Sequence, residues 1–206
     1  MALAKEFYGN AKDFTFYFVG NYDEKTLLPL IEQYIASLPN NGFKLKNKEI
    51  PYAKGEVKNN FTKAMANPQT QASEIWSTKL PFSMQNMVLA DVTSRLLEMQ
   101  YLRTIREQLS AAYHAGATFG MLRDFDDKAS IISITANAGL NPEKADTAIT
   151  YFFKGVDEVE KQVDAADLQK VKEILLKQAG VAEQTNPYWR GVIANYTGIG
   201  FDNYTG

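Results

Sequence analysis

The chain has no cysteine and a single histidine in its 206 residues, and these two shortages remove whole classes of chemistry. Without cysteine there is no disulfide, no thiolate metal ligand and no thiol nucleophile. One imidazole is too few for a self-contained zinc hydrolase site, which typically takes about two or three, often as H-E-x-x-H on one helix face. Ser110 and Ser130 have no second histidine to recruit and no G-x-S-x-G elbow. Gly116 and Gly120 have the wrong spacing for a dinucleotide loop, and no helix comes after them. Charge of one sign is also missing: 22 basic against 24 acidic residues leave a net charge of −2. No basic face is expected, so nucleic acid is excluded as a partner.

Long apolar runs are absent as well. None approaches the roughly 18 residues of a membrane helix, and the start Met1-Ala-Leu-Ala-Lys-Glu lacks the layout of a signal peptide. The chain therefore reads as cytoplasmic or as a piece of something longer, with no membrane partner. The tail from Gly200 to Gly206 looks like a lead into a further element and favours the piece.

What is present is the profile of a folded protein: 45% hydrophobic and 22% charged residues. Phe14 to Val19, aromatic and β-branched, predicts a central strand. Leu27, Leu28, Ile31, Tyr34, Ile35 and Leu38 predict a helix, starting near Thr26 as its cap because Pro29 is unfavourable in mid-helix. Residues 40 to 54 read as a long connection. Two strands are expected near 57–65 and 72–80, with a turn at Asn67-Pro68. The stripe Met84, Met87, Val88, Val92, Leu96, Met99 and Leu102 predicts one long helix from Ser83 to about Leu109. Strands are expected over 113–119 and 129–138, joined by the charged segment 123–128. Asn141-Pro142 and Asn186-Pro187 each place Asn at a cap and Pro at the first helical position, and Asp164 caps the helix between them.

Strands in pairs between helices, rather than strict alternation, predict an α+β fold. Its form is a two-layer sandwich, a mostly antiparallel sheet with helices on one face, over a single domain 1–206.

Asp124, Asp126 and Asp127 lack the spacing of a calcium loop and read as a solvated turn. Glu158 and Glu160 cannot face each other on a helix. His114 comes directly after Tyr113, so in a regular strand the two point to opposite faces. There remain Arg106, in the last turn of the long helix, and Tyr113, at the head of the next strand. Arg106 either pairs with a carboxylate or helix end beside a rim tyrosine, or the two donors converge on peptide carbonyl or carboxylate oxygens.

Three phrases carry a resemblance. They are Asp13-Phe-Thr-Phe-Tyr-Phe-Val-Gly-Asn-Tyr-Asp23 with Leu28-Pro-Leu-Ile-Glu-Gln-Tyr-Ile-Ala-Ser-Leu-Pro39; Leu102-Arg-Thr-Ile-Arg-Glu-Gln-Leu-Ser-Ala-Ala-Tyr113; and Asn186-Pro-Tyr-Trp189. The chain resembles a C-terminal-half domain, the inactive kind, of the pitrilysin/insulinase (M16) zinc metallopeptidases. The second phrase looks like that family's Arg-Glu-x-x-Gly-x-x-Tyr.

The resemblance implies homologous α/β domains in two halves around a chamber. Zinc and a general base are held by H-x-x-E-H in the other half, as cofactor and catalyst from a partner half or subunit. Arg106 and Tyr113 would reach across to a peptide substrate near the scissile bond, and Arg103 would be a surface charge. A bacterial periplasm or cell envelope is favoured over cytoplasm. A non-catalytic, peptide-holding or structural subunit is the alternative. Ser110 stands where the family usually has Gly, and His114 where it usually has a small hydroxylated residue.

Overall fold

The computed structural model describes residues 2–42, 54–123 and 129–199. These residues group into two compact units, one within 1–61 and 185–201, the other within 62–184.

The larger unit holds the sheet. Strand β1 (Thr70–Pro81) is followed by helix α3 (Met84–Tyr101), a π-helical stretch (Leu102–Gln108), β2 (Ala112–Arg123) and β3 (Ala129–Leu140). A short 3-10 turn, α4 (Ala145–Lys161) and α5 (Ala165–Ala182) complete it. The three strands lie in the order β1-β3-β2 and both pairings are antiparallel. The unit is thus the expected α+β layer of antiparallel sheet under helices.

Alternation along the strands selects the covered face. Ala72, Ala115, Ala117, Ala136, Ala138 and Leu140 point into a core shared with Leu97, Tyr101 and Ile105 from the long helix and Ala148 and Phe152 from α4. Small alanines let the helices approach the sheet closely, and the bulk comes from the rings. Tyr101 and Phe152 stack with centroids 4.9 Å apart and planes 15° apart. Each such ring contributes about 2–3 kcal/mol by leaving water.

Helix starts obey the expected chemistry. Ser83 accepts a hydrogen bond from the Asn86 amide at 3.2 Å and Asp164 from the amides of Ala166 and Asp167 at 2.7 and 3.2 Å. Asn141 accepts from the Glu143 amide at 3.0 Å, ahead of Pro142 in the 3-10 turn.

The smaller unit contains α1 (Ala2–Tyr8), a 3-10 turn (Ala11–Asp13), α2 (Glu24–Tyr34) and α6 (Asn186–Ile199). Three expectations fail. Residues 14–19 form no ladder among the described residues, and Phe14, Phe16 and Phe18 stay 41–44% exposed. Six strand-forming residues specify an extended backbone, but a strand also needs a neighbour to bond. The strand expected over 57–65 likewise forms no ladder among the described residues, with Phe61 87% exposed. Helix α2 starts earlier than Thr26, capped by Asp23, whose carboxylate accepts from the Thr26 hydroxyl at 2.7 Å. Pro29 sits inside α2 after all, at the cost of one intrahelical bond.

Helix α6 begins at Asn186 itself, so Asn186 is not outside the helix as a cap. The connection expected at 40–54 and the Asp124, Asp126 and Asp127 segment lie largely or wholly outside the described residues.

Candidate functional site at the helix-to-strand junction

Between Leu102 and His114 the backbone departs from regular geometry three times. The first departure is the π-helical stretch, where the Leu109 amide reaches back five residues to the Thr104 carbonyl at 3.2 Å. Such a turn carries one more residue than an α turn and rotates the residues beyond it. The sequence predicts regular helix as far as Leu109; its last part is this wider winding.

The second is Ser110, with φ of 48°, the left-handed region that an L side chain enters at a cost. The turn is fixed from both sides. The Ala111 amide donates to the Ile105 carbonyl at 3.0 Å, and the Ala111 carbonyl accepts from the Asn141 amide at 2.9 Å. Lys144 donates its ammonium to the Leu109 carbonyl at 3.0 Å and the Ser110 carbonyl at 3.4 Å, closing off the helix end.

The third is a β-bulge. Ala112 pairs with Leu140 and His114 with Gly139, so Tyr113 is the inserted residue. Both flanking core positions are preserved: Leu140 is fully buried and Ala115 is 7% exposed. Two residues rather than one lie between the inward-facing Ala112 and Ala115. Tyr113 and His114 therefore both lie off the core face, Tyr113 72% exposed and His114 exposed. This corrects the expectation that they point to opposite sides, which holds only for an unbulged strand.

Arg106 lies in the last turn of the π stretch, exposed, and makes no ion pair among the described residues. Arg106 and Tyr113 are thus presented on either side of one strained turn, with their donors uncommitted among the described residues. Backbone departures of this kind concentrate at functional sites.

Arg103, one helical turn earlier, differs from the expected surface charge. Its guanidinium pairs with Asp167 of α5, a residue only 7% exposed. Lys170 adds a second contact at 3.2 Å. Burial pushes the Asp167 carboxyl up, and the hydrogen bonds from Arg103 and Lys170 more than offset this, leaving it below the ordinary carboxylate value. A cleft of about 450 Å³ lies beside this pair, lined in part by Gln100, Glu158, Lys161 and Asp164. The sequence signal for the pair is weak, because the partners are 64 residues apart.

Among the described residues no group of three or more His, Asp or Glu side chains comes together as a metal site. The described residues alone do not fit a zinc centre.

The sequence profile of the family described as the peptidase M16 inactive domain matches residues 2–175. No curated protein matches. Among solved structures, the chain is similar to the periplasmic protease PqqL from Escherichia coli, with a TM-score of 0.55 and 20% identity. It is also similar to the ferredoxin protease FusC, solved in complex with Arabidopsis ferredoxin, with a TM-score of 0.60 and 14% identity. These alignments cover 86% and 90% of this chain but 19% and 20% of those proteins, so the chain spans about one-fifth of each.

Proposed function

Since the chain belongs to the peptidase M16 inactive-domain family, we propose that it is the substrate-binding, non-zinc domain of a zinc endopeptidase. In this role Arg106 and Tyr113 serve a peptide bound at a metal site elsewhere. The observation that carries the reading is the junction itself: a π turn, a left-handed serine and a bulge leave two donors exposed around one turn, unpaired among the described residues.

Zinc would be held by another domain or subunit, where it would polarise the scissile carbonyl and its bound water. This chain's contribution is different. The guanidinium supplies fixed-fork donors and the phenol one O–H, both suited to carbonyl oxygens and to the negative charge that grows on them in the transition state. The backbone turn that carries both residues is fixed by its own hydrogen bonds before substrate arrives, which limits the reorganisation needed when that charge appears. The periplasmic setting of PqqL supports a periplasmic or envelope location for the whole protein.

The test is a mixing experiment on a quenched fluorescent peptide. The purified chain with zinc should cleave nothing, and adding the zinc-bearing half of the same protein should produce turnover. Cleavage by the chain alone contradicts the proposal.

A further inference from the structure

His114 is the chain's one histidine, and the structure gives it a seat. Its ring lies over Gly139 of β3, so close that a Cβ on Gly139 would fall 2.5 Å from Cε1 and 2.7 Å from Nδ1. Real Cβ atoms do not approach that near, so the glycine is what allows the imidazole to rest against β3 on the face away from the core. Gln71 of β1 flanks the same spot, its Nε2 3.4 Å from that Cβ position. His114 is nevertheless exposed, and its ring nitrogens have no hydrogen-bond partner among the described residues. A ring held by packing with its polar atoms uncommitted is pre-organised to bind, because the entropy of ordering it is already spent.

The bulge supplies the second half of the argument. It brings consecutive residues Tyr113 and His114 to the same side, about 3.8 Å apart along the backbone. We infer that His114 is a third substrate-contacting residue, donating a hydrogen bond to a main-chain carbonyl of the peptide next to the group held by Tyr113. The inference rests on the Arg106 and Tyr113 reading and extends it: the site takes an extended, unfolded polypeptide along the open sheet face and reads its backbone. Gly139 is then a positioning residue, acting through the imidazole.

The single histidine makes the test unambiguous, since selective histidine labelling yields one imidazole signal. Labelled chain is titrated with β-casein, an unstructured polypeptide, and binding of unlabelled variants is measured in parallel. The His114 signal should shift saturably. His114→Ser should bind about fivefold more weakly, the size of one net hydrogen bond, with an unchanged melting temperature. Gly139→Ala should reproduce the loss with the histidine still present.

Suppose Arg106→Ala and Tyr113→Phe weaken binding, but the His114 signal stays put and His114→Ser binds like the wild type. That result overturns this inference alone. Absence of casein binding by the wild-type chain, or binding insensitive to Arg106→Ala and Tyr113→Phe, overturns the substrate-binding reading and this inference with it.

Discussion

Gly155 of α4 lies directly against the ring of Tyr101 in α3: a Cβ at position 155 would be 2.5 Å from Tyr101 Cε1. Tyr101 is fully buried and cannot move aside without disturbing its stack on Phe152. Gly155→Ala should therefore destabilise the protein by about 1–2 kcal/mol, the overpacking cost outweighing Ala's better helix propensity. Gly180 in α5 has nothing within 4 Å of its Cβ position, so Gly180→Ala should stabilise by about 0.5–1 kcal/mol. Urea denaturation of the two variants checks the opposite signs.

The Tyr101 hydroxyl is buried and has no hydrogen-bond partner among the described residues. Burial, with the Glu74 carboxylate nearby, raises its pKa far above the ordinary phenol value. Tyr101→Phe removes an unsatisfied polar atom while keeping the ring, and should raise stability by up to about 1 kcal/mol. A lower melting temperature in this variant would mean that the hydroxyl is satisfied in solution.

Ser110 holds a φ of 48° without the freedom of glycine. Ser110→Gly should relieve a strain of about 1–2 kcal/mol, of which glycine's greater unfolded-state entropy returns part, for a net gain near 1 kcal/mol. Thermal unfolding checks the gain. Peptide binding should persist, since the turn keeps its shape.

Asp167 gives a pH dependence with a defined sign. Its folded pKa lies below the unfolded value of about 4, so the folded state holds the proton less tightly. The stabilisation is therefore fully present above about pH 4 and is lost as pH falls through the folded value. Arg103→Ala should cost about 1–2 kcal/mol at neutral pH. The loss should shrink below pH 4, because the wild type has by then lost the same contribution. Urea unfolding across pH 3 to 7 measures it.

The elements legible in the sequence are those whose pattern is local. The stripe from Met84 to Leu102 and the caps at Asn141 and Asp164 depend on residues a few positions apart. The strands near 72–80 and 129–138 do too, and the helix, caps and strands all appear in the structure, although the helix buries Ala90, Ser94, Leu97 and Tyr101 and leaves Met84 and Val88 of the stripe exposed. What the sequence hides depends on distant or geometric facts. Phe14 to Val19 has every property of a strand except a neighbour among the described residues, and composition does not reveal whether a neighbour exists.

The candidate site divides in the same way. Arg106 and Tyr113 are legible by residue type and motif. The π winding and the bulge that set their directions leave no periodic trace, so strand alternation alone puts Tyr113 and His114 on opposite faces of the sheet. The left-handed turn at Ser110 has no local signal of its own beyond the motif resemblance, which expects glycine there. The role of Arg103 escapes a local reading because Asp167 lies in a different helix.

The most direct measurement is the turnover number of the complete protease carrying Arg106→Ala or Tyr113→Phe, on one peptide substrate and alongside the melting temperature of each variant. Loss of a donor to the transition state costs on the order of 3 kcal/mol. Each variant should therefore lose roughly a hundredfold in kcat with no change in melting temperature. Wild-type turnover in both would contradict the assignment of these residues to substrate.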